Sequence, residues 1–230
     1  KFILTAVKGM IPNDNLVLSD YMQRAYKIPD ENIGVISGPC HAEEVALERL
    51  SFLTVASSDV EKAKIIAETI ESRILKTSIS TDVLGIEVAA VLKNIYAIMS
   101  GVCSGLQFGD NFQAVLMTNC AKEMQKMLSV VAPMSDRCIS EQHYLGDMLV
   151  TGYSQFSRNR TFGTMIGRGY SVKSAQLEME MIAEGYFGAK CIHEMVKNMT
   201  LDIPIVETVY EILYEKLRPQ DAVKKLIENF

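Results

Sequence analysis

Lys93 interrupts a row of small residues spaced four apart: Gly85, Ala89, Ala97, Gly101, Gly105 and Gly109. Side chains four apart are neighbours on a helix surface, so this row lets a second backbone come close. A long cationic side chain within it is desolvated once the row is covered, and burial is costly for an ammonium without compensation. A partner charge, a bound substrate or a lowered pKa provides that compensation, and a lysine so placed is suited to proton transfer. A plainer reading competes. The row drifts by about 40° per four-residue step on an ideal helix, so Lys93 can also snorkel its ammonium into solvent. On this helix alone the plainer reading is the commoner outcome.

Four further segments carry residue types with chemical use. Ser37-Gly38-Pro39-Cys40-His41-Ala42-Glu43-Glu44 leaves an expected strand and opens an expected helix. Gly38 permits close backbone approach, and helix N-terminal amides favour a phosphate or carboxylate; an ordinary Gly-Pro turn explains the same residues equally well. Cys40 and His41 are adjacent, so their side chains diverge and do not suggest a nucleophile pair. Gly146-Asp147, with Thr151 one turn on, sets an acid at a helix start, either as a cap or as the partner of a half-buried lysine. Ser157-Arg158-Asn159-Arg160 is a local basic cluster whose guanidinium forks suit a small phosphorylated ligand, with a solvated loop of equal weight. Gly163, Gly167 and Gly169 behind it are too loosely spaced for a dinucleotide fingerprint. Finally, Ile182-Ala183-Glu184-Gly185 reads as a helix end with Gly185 as C-cap and Glu184 at the surface. Met124 and Met127 read as core filler.

The elements that must position these residues fall into two groups. Residues 1 to about 80 alternate strands (2–7, 33–37, 52–56, 73–77) with helices near 16–27, from about 42, and 59–72, the last capped at Ser58-Asp59. From about 82 only helices follow: 82–107, 111–130, 140–154, 172–182, 186–198, 204–216 and 219–229, with Pro204 and Pro219 near helix starts. The fold class is therefore α/β followed by all-α, divided as 1–80 and 81–230. The opening Phe2–Val7 reads as a short buried strand that starts almost at once, as if the chain were entered in mid-domain.

With 230 residues, 48% hydrophobic and 22% charged, the chain can bury a substantial core as one large or two modest domains. A net charge of −5 argues against a nucleic-acid surface built on bulk electrostatics. Five cysteines, odd in number and without a C-x-x-C pair, fit neither a disulfide scaffold nor a zinc site, and a reducing cytoplasm is the simplest home. The three histidines are scattered, with Cys191 and His193 on different helix sides, so no metal is expected. No run approaches a membrane span and no leader is recognisable.

Taken in order, Lys8-Gly9, Ser37-Gly38-Pro39 through Ala42-Glu43, Glu87 to Asn94, Gly146-Asp147 to Thr151, Ser157-Arg158-Asn159 and Glu184-Gly185 resemble the NAD(P)-dependent glycerol-3-phosphate dehydrogenases of bacterial type. The resemblance spans essentially the whole chain. It implies the C-terminal part of a Rossmann-type domain joined to a helical substrate domain, the G-x-G-x-x-G turn belonging to a preceding unit. It also implies hydride transfer between NAD or NADP and a three-carbon phosphate, interconverting dihydroxyacetone phosphate and sn-glycerol 3-phosphate and supplying glycerol phosphate for phospholipid synthesis. By the same resemblance Lys93 is the catalytic acid–base. Lys8, Gly38, Cys40, Lys93, Asn94, Asp147, Thr151, Ser157, Arg158 and Asn159 would contact substrate. Lys8, Ala42, Arg158, Ile182 and Glu184 would face the cofactor. Cys40 stands where the family has Ser or Thr and His41 where it has Phe, which favours a backbone contact at Cys40. A small phosphorylated substrate is the expected partner, with a homodimer as the candidate assembly and no nucleic acid. Without the preceding unit, little or no activity is expected. Rival readings are a 6-phosphogluconate or 3-hydroxyacyl-CoA type dehydrogenase, which the Gly146-Asp147 and Ser157-Arg158-Asn159 runs argue against, and a non-catalytic helical interaction module.

Overall fold

The structure, a computed structural model, describes residues 1–228 and 230. Its first part carries β1 (Ile3–Thr5), a small hairpin of β2 (Met10–Ile11) and β3 (Leu16–Val17), α1 (Leu18–Tyr26), β4 (Ile33–Ser37), α2 (Ala42–Ala46), β5 (Ser51–Ser57), α3 (Val60–Ile70) and β6 (Leu75–Ser80). The main sheet runs β1-β4-β5-β6, with β1 parallel to β4, β4 antiparallel to β5, and β5 parallel to β6. Alternation along the strands gives the sheet two faces. Val35 and Ala56 join the large helical core, whereas Val55 packs with Ala63 and Ala67 of α3, and Ile36 packs against that cluster. The Asp59 carboxylate accepts from the Lys62 amide at 3.1 Å and so caps α3.

Helices follow from there: α4 (Val83–Gly105), α5 (Asp110–Val131), a π-helical turn at Gln142–Gly146, α6 (Asp147–Tyr153), α7 (Arg158–Gly167), α8 (Val172–Glu178), α9 (Glu184–Val196), α10 (Pro204–Tyr214) and α11 (Pro219–Ile227). Every residue of α4 from Gly85 to Cys103 is buried, as expected of a helix apolar on nearly all sides. It is long and apolar enough to cross a membrane, contrary to the expectation that no run approaches that length, but 94% of that stretch is buried within the protein, as in a core helix.

Small residues explain how α4 accepts so many neighbours. A Cβ on Gly105 would lie 2.5 Å from the Thr164 carbonyl oxygen, and one on Gly101 would collide with that of Arg160. From the other side, Gly163 and Gly167 of α7 sit against the Ile98 and Val102 carbonyls. The two backbones thus meet through glycines spaced four apart on both helices. The N-terminus of α4 is held by Asp82, which accepts from the Gly85 amide at 3.0 Å, from Arg137 Nε at 2.7 Å and from the Tyr144 hydroxyl.

Several expectations need correction. Strand 2–7 is only Ile3–Thr5 and is buried only at Thr5, since Ile3 and Leu4 are 36% and 37% exposed; among the described residues β1 pairs on one side only. The hairpin β2–β3 and helix α7 had no counterpart in the sequence reading. Gly185 is no C-cap: it is the second residue of α9, and α8 ends at Glu178. Gly109 lies beyond α4, as the residue preceding α5.

Candidate active site

The C-terminal end of β4, the middle of α4 and the start of α6 converge on one ion pair. Lys93 is 5% exposed and Asp147 1%, and the lysine ammonium donates to Oδ1 of the carboxylate. The other carboxylate oxygen, Oδ2, accepts from Ser37 Oγ at 3.2 Å and faces Lys8 Nζ at 4.0 Å. Thr151 Oγ1, one turn along α6, donates to the Asp147 carbonyl at 2.6 Å. Lys93 therefore does not snorkel into solvent, and Asp147 pairs with it. Burial pulls the Lys93 ammonium down to about 8, with Asp147 opposing that fall and Lys8 adding to it. An amine so tuned changes charge near neutral pH and can serve as acid or base.

Around this pair lies a cleft of about 390 Å³, within the usual range for small-molecule sites. Lys8 reaches it from the connection between β1 and β2, whose position is fixed by Asn94 Nδ2 donating to the Lys8 carbonyl at 3.2 Å. Cys40 and Ala42 line it from the turn after β4 and the start of α2. Gly38 makes that turn at φ 139°, and a Cβ there would lie 2.7 Å from the Phe52 carbonyl oxygen, so only glycine fits. Burial pushes the Cys40 thiol up, and His41, whose Nδ1 lies 3.3 Å from Ser154 Oγ, is held below its usual value by burial and then by Lys93. A thiol with a raised pKa is a poor nucleophile.

The opposite wall is the N-terminus of α7. Ser157 caps the helix by accepting from the Arg160 amide at 3.3 Å, and Ser157, Arg158 and Asn159 all face the cleft. The cluster is therefore a helix start, and neither a loop nor a single basic patch: Arg158 lines the cleft and Arg160 does not. Asn159 Oδ1 accepts from the Gly185 amide at 2.9 Å, which ties α7 to the first turn of α9 and brings Glu184 to the cleft wall. The start of α7, the Arg158 guanidinium and the Lys8 ammonium together favour an anion on this side of the cleft, with Lys93 paired to Asp147 and with Glu43 and Glu184 also on the wall.

Of the residues singled out in the sequence, Lys8, Cys40, Ala42, Lys93, Asn94, Thr151, Ser157, Arg158, Asn159 and Glu184 line this cleft. Gly38 and Asp147 lie behind the wall, acting on it through the turn and the lysine. Ile182 stands outside, 60% exposed at a separate apolar hollow beside Phe162 and Tyr186; its carbonyl accepts from Arg158 Nη1 at 3.5 Å. His41, Glu43, Phe156 and Met181 also line the cleft and were not expected there. Phe156 directly precedes the Ser157-Arg158 run, an adjacency that could have flagged it.

The family model described as NAD-dependent glycerol-3-phosphate dehydrogenase N-terminus matches residues 1–63, and that described as its C-terminus matches residues 82–224. The chain is 35% identical over 229 residues to a glycerol-3-phosphate dehydrogenase [NAD(P)+] of Oceanobacillus iheyensis, covering 99% of this chain and 66% of that protein. It is 33% identical over 230 residues to one of Streptococcus sanguinis, covering 99% and 67%. The chain thus spans about two thirds of the length of the curated relatives it matches. The crystal structure of the Coxiella burnetii glycerol-3-phosphate dehydrogenase superposes with a TM-score of 0.93 at 29% identity, covering 99% of this chain and 69% of that one. A Plasmodium falciparum glycerol-3-phosphate dehydrogenase shares the fold, with a TM-score of 0.84 at 21% identity over 96% of this chain and 63% of its own. With both family models matched in order and the cleft assembled where they meet, the chain belongs to the NAD-dependent glycerol-3-phosphate dehydrogenase family.

Proposed function

We propose that the protein interconverts dihydroxyacetone phosphate and sn-glycerol 3-phosphate with NAD(P)H or NAD(P)+, Lys93 being the acid–base group. The observation that carries this reading is the buried Lys93–Asp147 pair at the floor of a cleft that also holds Lys8 and Arg158. The bound nicotinamide would supply or accept the hydride at carbon 2. In reduction Lys93 donates its proton to the carbonyl oxygen as negative charge develops there, and as an ammonium it stabilises that charge beforehand. In oxidation the neutral amine takes the hydroxyl proton. Asp147 holds the ammonium in place, with Ser37 donating to its carboxylate and Thr151 to its backbone carbonyl. Arg158, with Ser157 and Asn159 at the start of α7, would bind the phosphate.

The residues present fit the cofactor's nicotinamide end. Ala42 and Met181 give the cleft small and apolar wall, while Lys8, Arg158 and Glu184 give it polar groups. Ile182, outside the cleft, would act through its carbonyl on Arg158. We divide the chain into a nucleotide-binding part, 1–80, and a helical substrate part, 81–230, the last strand ending at Ser80 before α4 begins at Val83. Five free cysteines suit a reducing, cytoplasmic setting, and the product suits phospholipid synthesis.

The test is oxidation of NADH or NADPH by the full-length gene product on addition of dihydroxyacetone phosphate. Turnover that depends on this ketone supports the reading. Absence of turnover with both cofactors contradicts it.

A further inference from the structure

Three adjacent strands present hydroxyl side chains at matched register: Ser37 of β4 opposite Thr54 of β5, and Thr54 opposite Ser78 of β6. Buried sheet faces ordinarily take Val or Ile, and elsewhere on this face Val35 and Ala56 do face the core. The hydroxyl row instead receives the segment that leads into α6. Gln142 Nε2 donates to Ser78 Oγ at 2.8 Å, His143 Nδ1 lies 3.2 Å from Thr54 Oγ1, and Asp147 Oδ2 accepts from Ser37 Oγ. The π-helical turn between Gln142 and Gly146 brings all three onto that track.

We propose that Ser37 is a positioning residue for the acid–base pair: by donating to Oδ2 of Asp147, its fully buried hydroxyl fixes the carboxylate so that Oδ1 faces Lys93. The inference rests on the acid–base role proposed for Lys93. Without the Ser37 hydroxyl, Oδ2 loses that hydrogen bond while Lys8 Nζ stands 4.0 Å away, and the carboxylate is free to turn towards it. Lys93 then loses part of the contact that favours its charged form. The ionisable groups that face this centre are Asp147 from α6, Lys8 from the β1–β2 connection, Cys40 and His41 ahead of α2, Glu43 in α2 and His143 in the π-helical turn, with Arg158 and Glu184 on the far wall.

The experiment compares wild type, Ser37→Ala and Ser37→Thr in the full-length gene product. For ketone reduction, Ser37→Ala should lower kcat by roughly 5- to 30-fold with KM within about twofold, and move the basic limb of the kcat–pH profile to lower pH by about half a unit or more. Ser37→Thr, which keeps a hydroxyl, should restore both. An NMR titration of the Lys93 side chain should show the same downward shift in Ser37→Ala. If Ser37→Ala lowers only the melting temperature and leaves kcat, the pH limb and the Lys93 titration as in wild type, Ser37 is structural and the proposal fails. If wild type turns over and Lys93→Ala does too, the acid–base reading fails instead. A wild type inactive towards dihydroxyacetone phosphate removes the activity reading, and the NMR shift alone then decides whether Ser37 sets the Lys93 charge.

Discussion

Gly185 of α9 abuts the backbone of Asn94 in α4: a Cβ at Gly185 would lie 2.6 Å from the Asn94 carbonyl oxygen. The contact stands one residue from Lys93, and the Gly185 amide also binds Asn159. One methyl group here would therefore push α9 away from α4 and disturb two walls of the cleft. Gly185→Ala should cost about 1–3 kcal/mol in urea unfolding and raise the substrate KM. Gly109→Ala is the control, since among the described residues nothing lies within 4 Å of a Cβ there, and it should stay within about 1 kcal/mol of wild type.

Arg158 is exposed at the cleft and its bond to Ile182 is long, at 3.5 Å, so its removal should leave stability nearly unchanged. Charged hydrogen bonds to a phosphate contribute about 1.5–3 kcal/mol, so Arg158→Ala should raise the KM for dihydroxyacetone phosphate by roughly 10- to 150-fold. A KM equal to wild type would show that the phosphate binds elsewhere.

Lys93 gives the pH dependence of turnover a definite sign. Ketone reduction needs the ammonium, so kcat should fall as pH rises through about 8, while alcohol oxidation needs the amine and should rise through the same range. Paired kcat–pH profiles in the two directions check this. Two limbs of the same sign would contradict it.

Glu123 makes a stability prediction independent of the cleft. Its buried carboxylate on α5 accepts from the Ile205 and Val206 amides at 2.7 and 3.1 Å, capping α10, yet burial pushes its pKa up to about 8. The folded state then holds a proton that the unfolded chain, near 4.5, releases earlier. Its contribution to stability is full below about 4.5 and is lost as pH rises through about 8. Glu123→Gln should flatten this fall in melting temperature between those limits. Glu123→Ala should cost about 1–3 kcal/mol for each amide left unpaired.

What could be read in the sequence follows from where the stabilising contacts lie. The Lys93 anomaly was visible because four-residue spacing is a property of one helix, and Pro204 and Pro219 marked helix starts because proline fixes its own backbone. Helix α7 was not visible. Arg-Asn-Arg-Thr-Phe-Gly-Thr-Met-Ile-Gly mixes two glycines with the weak helix formers Asn159, Thr161, Phe162 and Thr164, and it is the fit of those glycines onto α4 that explains them. Gly185 suggests a C-cap in the sequence for the same reason, since a glycine that admits a neighbouring backbone looks like one that ends a helix. The Lys93–Asp147 pair joins residues 54 positions apart, and it takes the packing of α6 against α4 and the docking of the π-helical turn onto the Ser37–Thr54–Ser78 row to bring them together.

The acid–base assignment is tested most directly by the steady-state rate of dihydroxyacetone phosphate reduction in Lys93→Ala at saturating substrate, with cofactor binding measured alongside. The account predicts loss of roughly 10²-fold or more in kcat with cofactor affinity largely retained. A variant within a few fold of the wild-type rate would contradict it.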